Sequence, residues 1–309
     1  MANPDITVVI AAYNVENYIE RAIRSALNQA GVGVQVIVVN DASKDKTLAV
    51  ASSLNDPRVA CINLSANAGP GAARNIGFAA STTPWVAVLD GDDAFQPGRL
   101  ARCLATAKLN NSDIVVDNLE TRREDNGQSS KMFKASEFEK MKELDLATFI
   151  RRNLLLFGGS SLGYLKPIFS IEFLRQHNLS YDPAIRIGED YMLLAEALAS
   201  GARCAVEPSA GYTYTVRKGS ISHRLSVTDI ERMIEGDKRL LAKHSLPGDA
   251  QKAQKWRTFS LLEALAYTRL IDALKQGKPA LAAKVIATRP SAALHLWQPL
   301  WVRIQRLFK

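Results

Sequence analysis

Three carboxylates stand at the end of an apolar segment that runs from Trp85 to Leu89. A short continuous apolar run is typical of a strand buried on both faces, and in parallel sheets ligands bind at the carboxyl ends of such strands. Asp90, Asp92 and Asp93 would lie at that edge. Carboxylates this close repel one another unless a cation, often one shared with a phosphate, neutralises them. The segment predicts a metal and phosphate site, with an Asp-rich solvated turn as the alternative.

Two more predicted strands end in side chains that suit a nucleotide. The first, residues 6–12, contains Ala11 near its end and leads into Tyr13, and the second, residues 34–39, leads into Asp41. An aromatic ring can stack on a base, and a carboxylate can accept a hydrogen bond from a base imide N–H. The alternatives are a buried structural tyrosine and a helix-capping aspartate.

The segment Gly69–Asn75 (GPGAARN) resembles a dinucleotide-binding fingerprint without satisfying it. Arg74 occupies the position of the third glycine, and the loop follows the third predicted strand instead of the first, which argues against a Rossmann NAD site. One turn into the following helix, Arg74 could reach a phosphate or an aspartate of the acidic cluster. A surface arginine is the alternative.

Two later segments add charged groups. Glu189 and Asp190 open a predicted helix, where acids favour the helix N-terminus but one of them could also act as base toward a hydroxyl. Arg217 and Lys218 lie in a basic turn after a predicted strand and could neutralise a diphosphate leaving group. His223, a few residues on, could be a metal ligand or have no function.

The apolar segments alternate between strand and helix spacing over the first 120 residues. Such alternation with short connections predicts an α/β fold, a doubly wound and mostly parallel sheet with right-handed crossovers. From residue 226 onward the spacing is helical, interrupted near the prolines at 247, 279 and 290. We therefore expect a C-terminal helical region after the sheet.

Composition excludes several classes of protein. The chain of 309 residues is 47% hydrophobic and 23% charged, as in ordinary globular proteins. Of its net charge of +8, residues 251–309 carry +9, so the predicted site region has no basic excess and nucleic-acid binding is not expected. The three cysteines show no metal-type spacing and suit a reducing compartment. Neither a secretory signal nor a membrane-spanning run is visible, and we expect a cytoplasmic protein.

Taken together, the ordered segments resemble the family 2 glycosyltransferases, inverting enzymes with the GT-A fold. Ala12 stands where the family usually has proline, and Asn40-Asp41-Ala42-Ser43 stands for Asp-Asp-Gly-Ser. Residues 116–119, 163–169 and 186–190 look similar to glucosyltransferases of succinoglycan-type exopolysaccharide synthesis. The matching segments are Val9–Asn14, Val39–Ser43, Gly69–Asn75, Leu89–Asp93, Gly188–Tyr191 and Tyr212–Ser222.

The resemblance implies a role for each candidate residue. Asp41 would bind the uracil of a UDP-sugar with Tyr13 and Ala11 nearby, and Asp90 would contact the nucleoside. Asp92, in the family's DXD motif, would bind Mg²⁺ or Mn²⁺.

Further along the chain, His223 matches a position that supplies a further metal ligand in some members. Asp190 would be the catalytic base of a single displacement, while Asp93 and Glu189 receive no firm role. The implied organisation is a GT-A domain over residues 1–224, with a nucleotide-sugar half to about 120 and an acceptor half beyond it, followed by a helical region over 225–309.

The implied substrates are a UDP-sugar, UDP-glucose by the finer similarity, and a hydroxyl of a glycan or polyprenyl-diphosphate-linked oligosaccharide. Residues 290–309 mix Trp, Leu and Phe with Arg and Lys. This composition suits a helix that lies on the anionic inner face of a membrane. The alternative is a tail helix packed on its own domain. Two other functions compete with transfer: a non-catalytic nucleotide-sugar-binding scaffold, and a sugar nucleotidyltransferase, which would release pyrophosphate.

Overall fold

The computed structural model describes residues 4–157, 161–217 and 225–296. The first part alternates strands and helices, as the spacing predicts. Its elements are β1 (Ile6–Ala12), α1 (Ile19–Leu27), β2 (Val34–Asn40), α2 (Thr47–Ser53), β3 (Val59–Asn63), α3 (Pro70–Ala80), β4 (Trp85–Asp90), β5 (Ala94–Phe95), α4 (Arg99–Asn110) and β6 (Ile114–Arg123).

The second part is richer in helix. Its elements are β7 (Ser129–Lys131), α5 (Ala135–Lys140), α6 (Leu146–Arg151), a 3-10 turn (Leu162–Tyr164), β8 (Ile168–Ser170), α7 (Ile171–Gln176), α8 (Glu189–Ala199), β9 (Cys204–Val216), α9 (Val227–Lys243), α10 (Gly248–Lys275), α11 (Pro279–Thr288) and α12 (Ser291–Leu294).

One sheet runs through the described residues in the order β3-β2-β1-β4-β8-β6-β9-β5, with β7 paired to β6. β1 is parallel to both β2 and β4, and β2 to β3. The short β8 is antiparallel to both of its neighbours, β4 and β6, and β6 is parallel to β9. The predicted α/β fold with a mostly parallel sheet is confirmed, and its antiparallel pairings involve the short strands β5, β7 and β8.

The sequence predicts two short strands, at 202–206 and 212–216, where the structure has the single strand β9. The register against β6 shifts on either side of Asn118, so that Asp117 faces Glu207 while Leu119 already faces Tyr212. This irregularity absorbs the extra residues of β9, and pairing resumes beyond them. A polar interruption in the sequence therefore marks a bulge instead of the end of a strand.

Helix α3 packs unusually close to the central strand β1. A Cβ on Gly77 would lie 2.3 Å from Cγ1 of Val9, a distance that no side chain tolerates. Val9 is itself fully buried. Glycine at this point lets α3 lie against the sheet, and Arg74, one turn earlier on the helix, is thereby brought to the edge where β1 and β4 end.

The C-terminal helices are attached to the second part of the sheet domain through buried polar contacts. Arg257 of α10 pairs with Asp237 of α9 at 3.0 Å and donates a 2.5 Å hydrogen bond to the backbone carbonyl of Asn153. Its guanidinium carbon also lies 3.5 Å from the centre of the Tyr191 ring on α8. Within residues 4–157, 161–217 and 225–296, no helix is long and apolar enough to cross a membrane.

Candidate active site

The parallel register brings the predicted strand ends to one edge of the sheet. Ala11 of β1 lies beside Asp90, the last residue of β4, and Ala12 lies beside Asn40, the last residue of β2. Asp41 follows directly. Carboxyl ends of parallel strands meet at the ligand-binding edge of α/β sheets. The structure therefore places Ala11, Asp41 and Asp90 along the same edge.

Four charged side chains close a ring at this edge, which we call the ion-pair ring: Asp90, Arg74, Asp190 and Lys166. Arg74 lies 2.5 Å from Oδ1 of Asp90 and 2.9 Å from Oδ1 of Asp190. Lys166 Nζ lies 2.8 Å from Oδ2 of Asp90 and 2.7 Å from Oδ2 of Asp190. Each carboxylate thus gives one oxygen to each cation. For Arg74, the sequence left a phosphate and an aspartate open as partners, and in this structure it contacts carboxylates.

The two cations of the ring are nearly closed off from solvent, with 3% of the Arg74 side chain and 7% of the Lys166 side chain exposed, whereas 24% of the Asp90 side chain is exposed. Burial by itself raises the pKa of Asp90, but Lys166 and Arg74 outweigh burial and hold that pKa below its usual range. Burial likewise lowers the pKa of Lys166, and the carboxylates of Asp190 and Asp90 reverse this and raise it above its usual value. The two cations therefore stay charged, and so does Asp90.

Glu189 is bound to the outside of the ring. Its Oε1 lies 2.8 Å from Nη1 of Arg74. The same nitrogen also contacts Asp190. Burial, followed by repulsion from Asp190, raises the pKa of the Glu189 carboxyl. Gly188, with φ of 87°, turns the chain into α8 so that Glu189 and Asp190 both fall in its first turn. The structure places both acids in the first turn of α8, where they contact Arg74, and the role of Asp190 as a base stays a prediction.

Asp190 accepts three hydrogen bonds and retains room for a fourth. Its Oδ1 accepts from Arg74 and, at 3.0 Å, from the buried Tyr181 hydroxyl, while its Oδ2 accepts from Lys166. An ionised carboxylate has about four lone-pair sites, so one site on Oδ2 remains for a further donor. The side chain is also 9% exposed. A further donor that reaches Oδ2 would complete the acceptor sites of this carboxylate.

Asp92 lies next to a third cation, Arg217, away from the ring. Its Oδ2 lies 2.7 Å from Nε of Arg217, whose guanidinium carbon is 5.3 Å from the centre of the Tyr18 ring. The backbone carbonyl of Asp92 accepts a 2.5 Å hydrogen bond from Arg21 of α1. The predicted neighbours Lys218 and His223 lie outside the described residues.

Asp93 joins the turn after β4 to strand β9. Its Oδ2 accepts a 2.7 Å hydrogen bond from the Tyr212 hydroxyl, and its Oδ1 accepts one of 2.7 Å from the Thr215 amide. Burial, and then the neighbouring charges of Asp92 and Asp90, raise the pKa of this carboxyl well above its usual value. Asp93 thus organises the turn that presents Asp90 and Asp92.

Asp41 is buried and holds the loop that enters α3. Its Oδ1 accepts from the amide of Ala68 at 2.7 Å, and its Oδ2 accepts from the amide of Gly69 and the side chain of Asn67, both at 2.9 Å. Three of about four acceptor sites are used, so one remains. Tyr13, by contrast, is 39% exposed. Its ring is accessible to a ligand.

Sequence reasoning missed two residues of the site. Tyr181 gives no local signal, since it lies in a connecting segment with no recognisable motif. Lys166 falls inside residues 163–169, which we singled out for a family similarity. Nothing in the spacing points to its contacts with Asp90, 76 positions earlier, and Asp190, 24 positions later. Their roles depend on the tertiary structure.

A metal site would rest on few protein ligands. Among the described residues, no group of three or more His, Cys, Asp and Glu side chains could hold a metal ion. Mg²⁺ is commonly bound by one or two carboxylates together with substrate phosphates. Asp92, with Arg217 as its ionic partner among the described residues, fits such a shared site.

The family comparison agrees with this geometry. The sequence model of glycosyl transferase family 2 matches residues 7–170, from β1 to β8. The chain therefore belongs to glycosyltransferase family 2, and it is a glycosyltransferase. The resemblance inferred from the ordered segments is confirmed.

Two relatives from Rhizobium meliloti (strain 1021) are similar along most of the chain. Succinoglycan biosynthesis protein ExoO is 46% identical over 304 residues, which are 98% of this chain and 87% of that protein. Succinoglycan biosynthesis protein ExoU is 36% identical over 258 residues, 82% of this chain and 74% of that protein.

Solved structures confirm the GT-A fold. TarS 1–349 of S. aureus, in complex with UDP, superposes with a TM-score of 0.66 at 19% identity, over 93% of this chain and 91% of that one. The mannosyltransferase PcManGT from Pyrobaculum calidifontis, in complex with GDP-Man and Mn²⁺, gives 0.61 at 17% identity, over 99% and 85%. At these identities the likeness shows the fold alone.

Proposed function

We propose that this glycosyltransferase moves glucose from UDP-glucose to a hydroxyl of a glycan acceptor, with inversion, in the synthesis of a succinoglycan-type exopolysaccharide. The observation that carries the proposal is that Asp190, with one open acceptor site, shares both of its cations with Asp90 at the nucleotide edge of the sheet. The names of the two Rhizobium relatives support the polysaccharide.

In the proposed reaction Asp190 is the general base. As the acceptor oxygen attacks the anomeric carbon, its proton passes to Oδ2 of Asp190, and the bond from that carbon to the diphosphate oxygen breaks on the opposite face. UDP leaves with the bonding electron pair. A single displacement without an enzyme nucleophile inverts the configuration, as inverting hydrolases also do. A positioned general base contributes roughly 10²–10⁴-fold to the rate.

The leaving diphosphate is assigned to the other half of the acidic cluster. Arg217, which pairs with Asp92, and Lys218, outside the described residues, would supply positive charge there, and Asp92, with His223, would hold Mg²⁺ or Mn²⁺. A bound divalent ion would neutralise charge that develops on the diphosphate. Asp90 carries its negative charge toward the nucleoside, and the cations of the ring keep it ionised at neutral pH.

The nucleotide base is assigned to the edge formed by β1 and β2. The exposed ring of Tyr13 offers a stacking surface, and Ala11 lies beside Asp90 at the same edge. Asp41 has one acceptor site left for a base N–H after it has bound the loop at residues 67–69. It therefore serves the nucleotide both directly and through the loop that leads to Arg74.

Replacement of the base tests the proposal. Asp190→Asn should lower turnover by about 10²–10⁴-fold because the amide cannot take the proton. UDP release in the presence of acceptor is the assay. Glu189→Gln, on the same turn of α8, is the matched control and should lose less activity, since Glu189 contacts Arg74 outside the ring. Near wild-type turnover of Asp190→Asn would refute the assignment.

Donor identity and metal use need separate measurements. Thermal shift with UDP-glucose, UDP-galactose, UDP-GlcNAc and GDP-mannose should show the largest stabilisation with UDP-glucose. Removal of divalent ions by EDTA should abolish UDP release and Mn²⁺ or Mg²⁺ should restore it. Full activity in EDTA would exclude the metal.

We also propose that the C-terminal region binds the cytoplasmic face of an anionic membrane, where a lipid-linked acceptor would lie. Two exposed aromatic side chains of this region, Trp256 and Phe259, cluster with Phe157 of the preceding domain: the Phe259 ring lies 5.9 Å from Phe157 and 6.0 Å from Trp256. Basic residues are in excess over the same region. Such a surface favours contact with anionic lipid. Vesicle flotation with and without residues 290–309 is the test, and equal flotation of both forms would contradict the role of that segment.

A further inference from the structure

We infer that Lys166 is a positioning residue for the transfer reaction: it fixes the Asp190 carboxylate beside Asp90 and keeps it ready to accept a proton. The inference rests on the proposed function, since it gives Lys166 a role only if Asp190 is the base. It adds a residue from the segment that leads into β8 to a site whose other charged groups come from β4, α3 and α8.

The ammonium group of Lys166 forms an ion pair with each carboxylate of the ring. Its Nζ lies 2.8 Å from Asp90 and 2.7 Å from Asp190, and both contacts are made to Oδ2 atoms. The side chain is almost fully buried. An ammonium group fixed between two carboxylates sets the distance between them, so Lys166 ties the proposed base to the nucleotide edge.

A second buried ion pair holds the backbone of Lys166. Arg99 of α4 binds Asp117 of β6 through two hydrogen bonds of 2.8 and 2.7 Å, and it donates a third, of 2.6 Å, to the carbonyl oxygen of Lys166. Both Arg99 and Asp117 are fully buried. Pro167 follows and restricts the backbone of the preceding lysine to extended conformations.

This support is costly, which favours a role beyond stability. Taking an arginine and an aspartate out of water carries a large desolvation penalty, and apolar residues of similar size often stabilise a fold equally well. The Arg99–Asp117 pair instead supplies a directed donor to one carbonyl oxygen. The result is a lysine whose backbone and ammonium group are both fixed in place.

The other groups that face Asp190 cannot replace Lys166. Arg74 is the second cation, but it is shared among Asp90, Glu189 and Asp190. Tyr181 donates one neutral hydrogen bond, and Glu189 adds a negative charge on the same helix. Without Lys166, one guanidinium would face three carboxylates. Asp190 would then lose one of its two cations and its fixed orientation.

The pH dependence of turnover tests the inference. An opposite charge within about 4–6 Å shifts a carboxyl pKa by roughly 1–3 pH units. In the pH profile of kcat, the acidic limb of Lys166→Met should therefore lie about 1–3 pH units higher than in the wild type. At pH values above that limb, much of the activity should return. Lys166→Arg keeps the charge and should keep the limb. Lys142→Met, an exposed lysine of the same half of the domain, is the matched control and should leave the profile unchanged.

Two further readouts separate positioning from other roles. The KM for the donor should change little in Lys166→Met, because the lysine contacts carboxylates and not the nucleotide. A loss that is confined to donor KM, or an equal loss at every pH with a lowered Tm, would overturn the inference. If Lys166→Met does not fold, Lys166→Gln removes the same charge with a polar side chain and carries the same expectation.

Failure of the inference can be told apart from failure of the proposed function. An unshifted limb in Lys166→Met, together with an inactive Asp190→Asn, overturns the role of Lys166 alone. An active Asp190→Asn overturns both. An acidic limb that shifts in Lys166→Met, but keeps its wild-type position in Lys166→Arg and in Lys142→Met, supports the inference.

Discussion

Replacement of Arg74 by Met should destabilise the fold and make its stability strongly dependent on pH. Arg74 is buried and pairs with Asp90, Asp190 and Glu189 at 2.5, 2.9 and 2.8 Å. Methionine fills similar space without a charge. After the change, Lys166 still pairs with both aspartates, whereas Glu189 loses its ion-pair partner within the described residues.

The magnitude follows from the number of carboxylates left behind. Breaking one buried ion pair by removing a single partner costs about 3–5 kcal/mol, since it leaves an uncompensated buried charge. Lys166 limits the loss to roughly one unpaired carboxylate. We therefore expect the free energy of unfolding at pH 8 to fall by about 3–5 kcal/mol, out of the roughly 5–15 kcal/mol typical of a folded protein.

The sign of the pH dependence can be worked out for both acids. The folded pKa of Asp90 lies below its unfolded value of 3.8, so in the wild type it stabilises the fold above that pH, and this stabilisation is lost as the pH falls through the folded pKa. The folded pKa of Glu189 lies above its unfolded value of 4.5, so its contribution is present below pH 4.5 and is lost as the pH rises through the folded pKa. Removal of Arg74 raises both folded pKa values. The deficit of Arg74→Met should thus be largest at pH 8 and shrink toward pH 5.

Urea unfolding at pH 5, 6.5 and 8, at constant ionic strength, measures this deficit. Arg24→Met, which breaks an exposed pair with Glu20, is the matched control and should cost about 0.3–0.5 kcal/mol. Adding Glu189→Gln should return about 0.5–3 kcal/mol to Arg74→Met, as expected for directly coupled residues. The reasoning is refuted if Arg74→Met costs no more than Arg24→Met, or if its deficit grows as the pH falls.

Two further predictions concern the backbone that presents the site. Gly77→Ala should lower the free energy of unfolding, measured in urea, by at least about 1–3 kcal/mol, because its Cβ would lie 2.3 Å from Val9. Gly248→Ala, with no neighbour within 4 Å, is the control and should change it by no more than about 0.5 kcal/mol. Equal effects of the two substitutions would contradict the close packing of α3. Ala42→Gly should stabilise the fold by about 0.5–1 kcal/mol, since Ala42 has φ of 56° and the relief of left-handed strain exceeds the added entropy of the unfolded glycine. A loss of stability in Ala42→Gly would show that the strain is absent.

Local spacing along the chain is sufficient to predict strands β1 to β4 and the edge at which they end. The alternation of buried strands with helices follows from fixed backbone repeats, so it predicts parallel strands whose carboxyl ends carry Asp41, Asp90 and Asp92. The position of Arg74 one turn into α3 also follows from spacing. The departure at Ala42, where the family has glycine, coincides with a positive φ in the structure.

The partners of these residues could not be predicted from spacing. Asp90 and Asp190 are 100 residues apart, and their connection depends on the insertion of antiparallel β8 between β4 and β6, which brings Lys166 to the ring. Strand order is a long-range property that no local period encodes. The sequence thus specified the acids of the site, and only the tertiary structure decided which cations bind them, because those contacts form between elements distant along the chain.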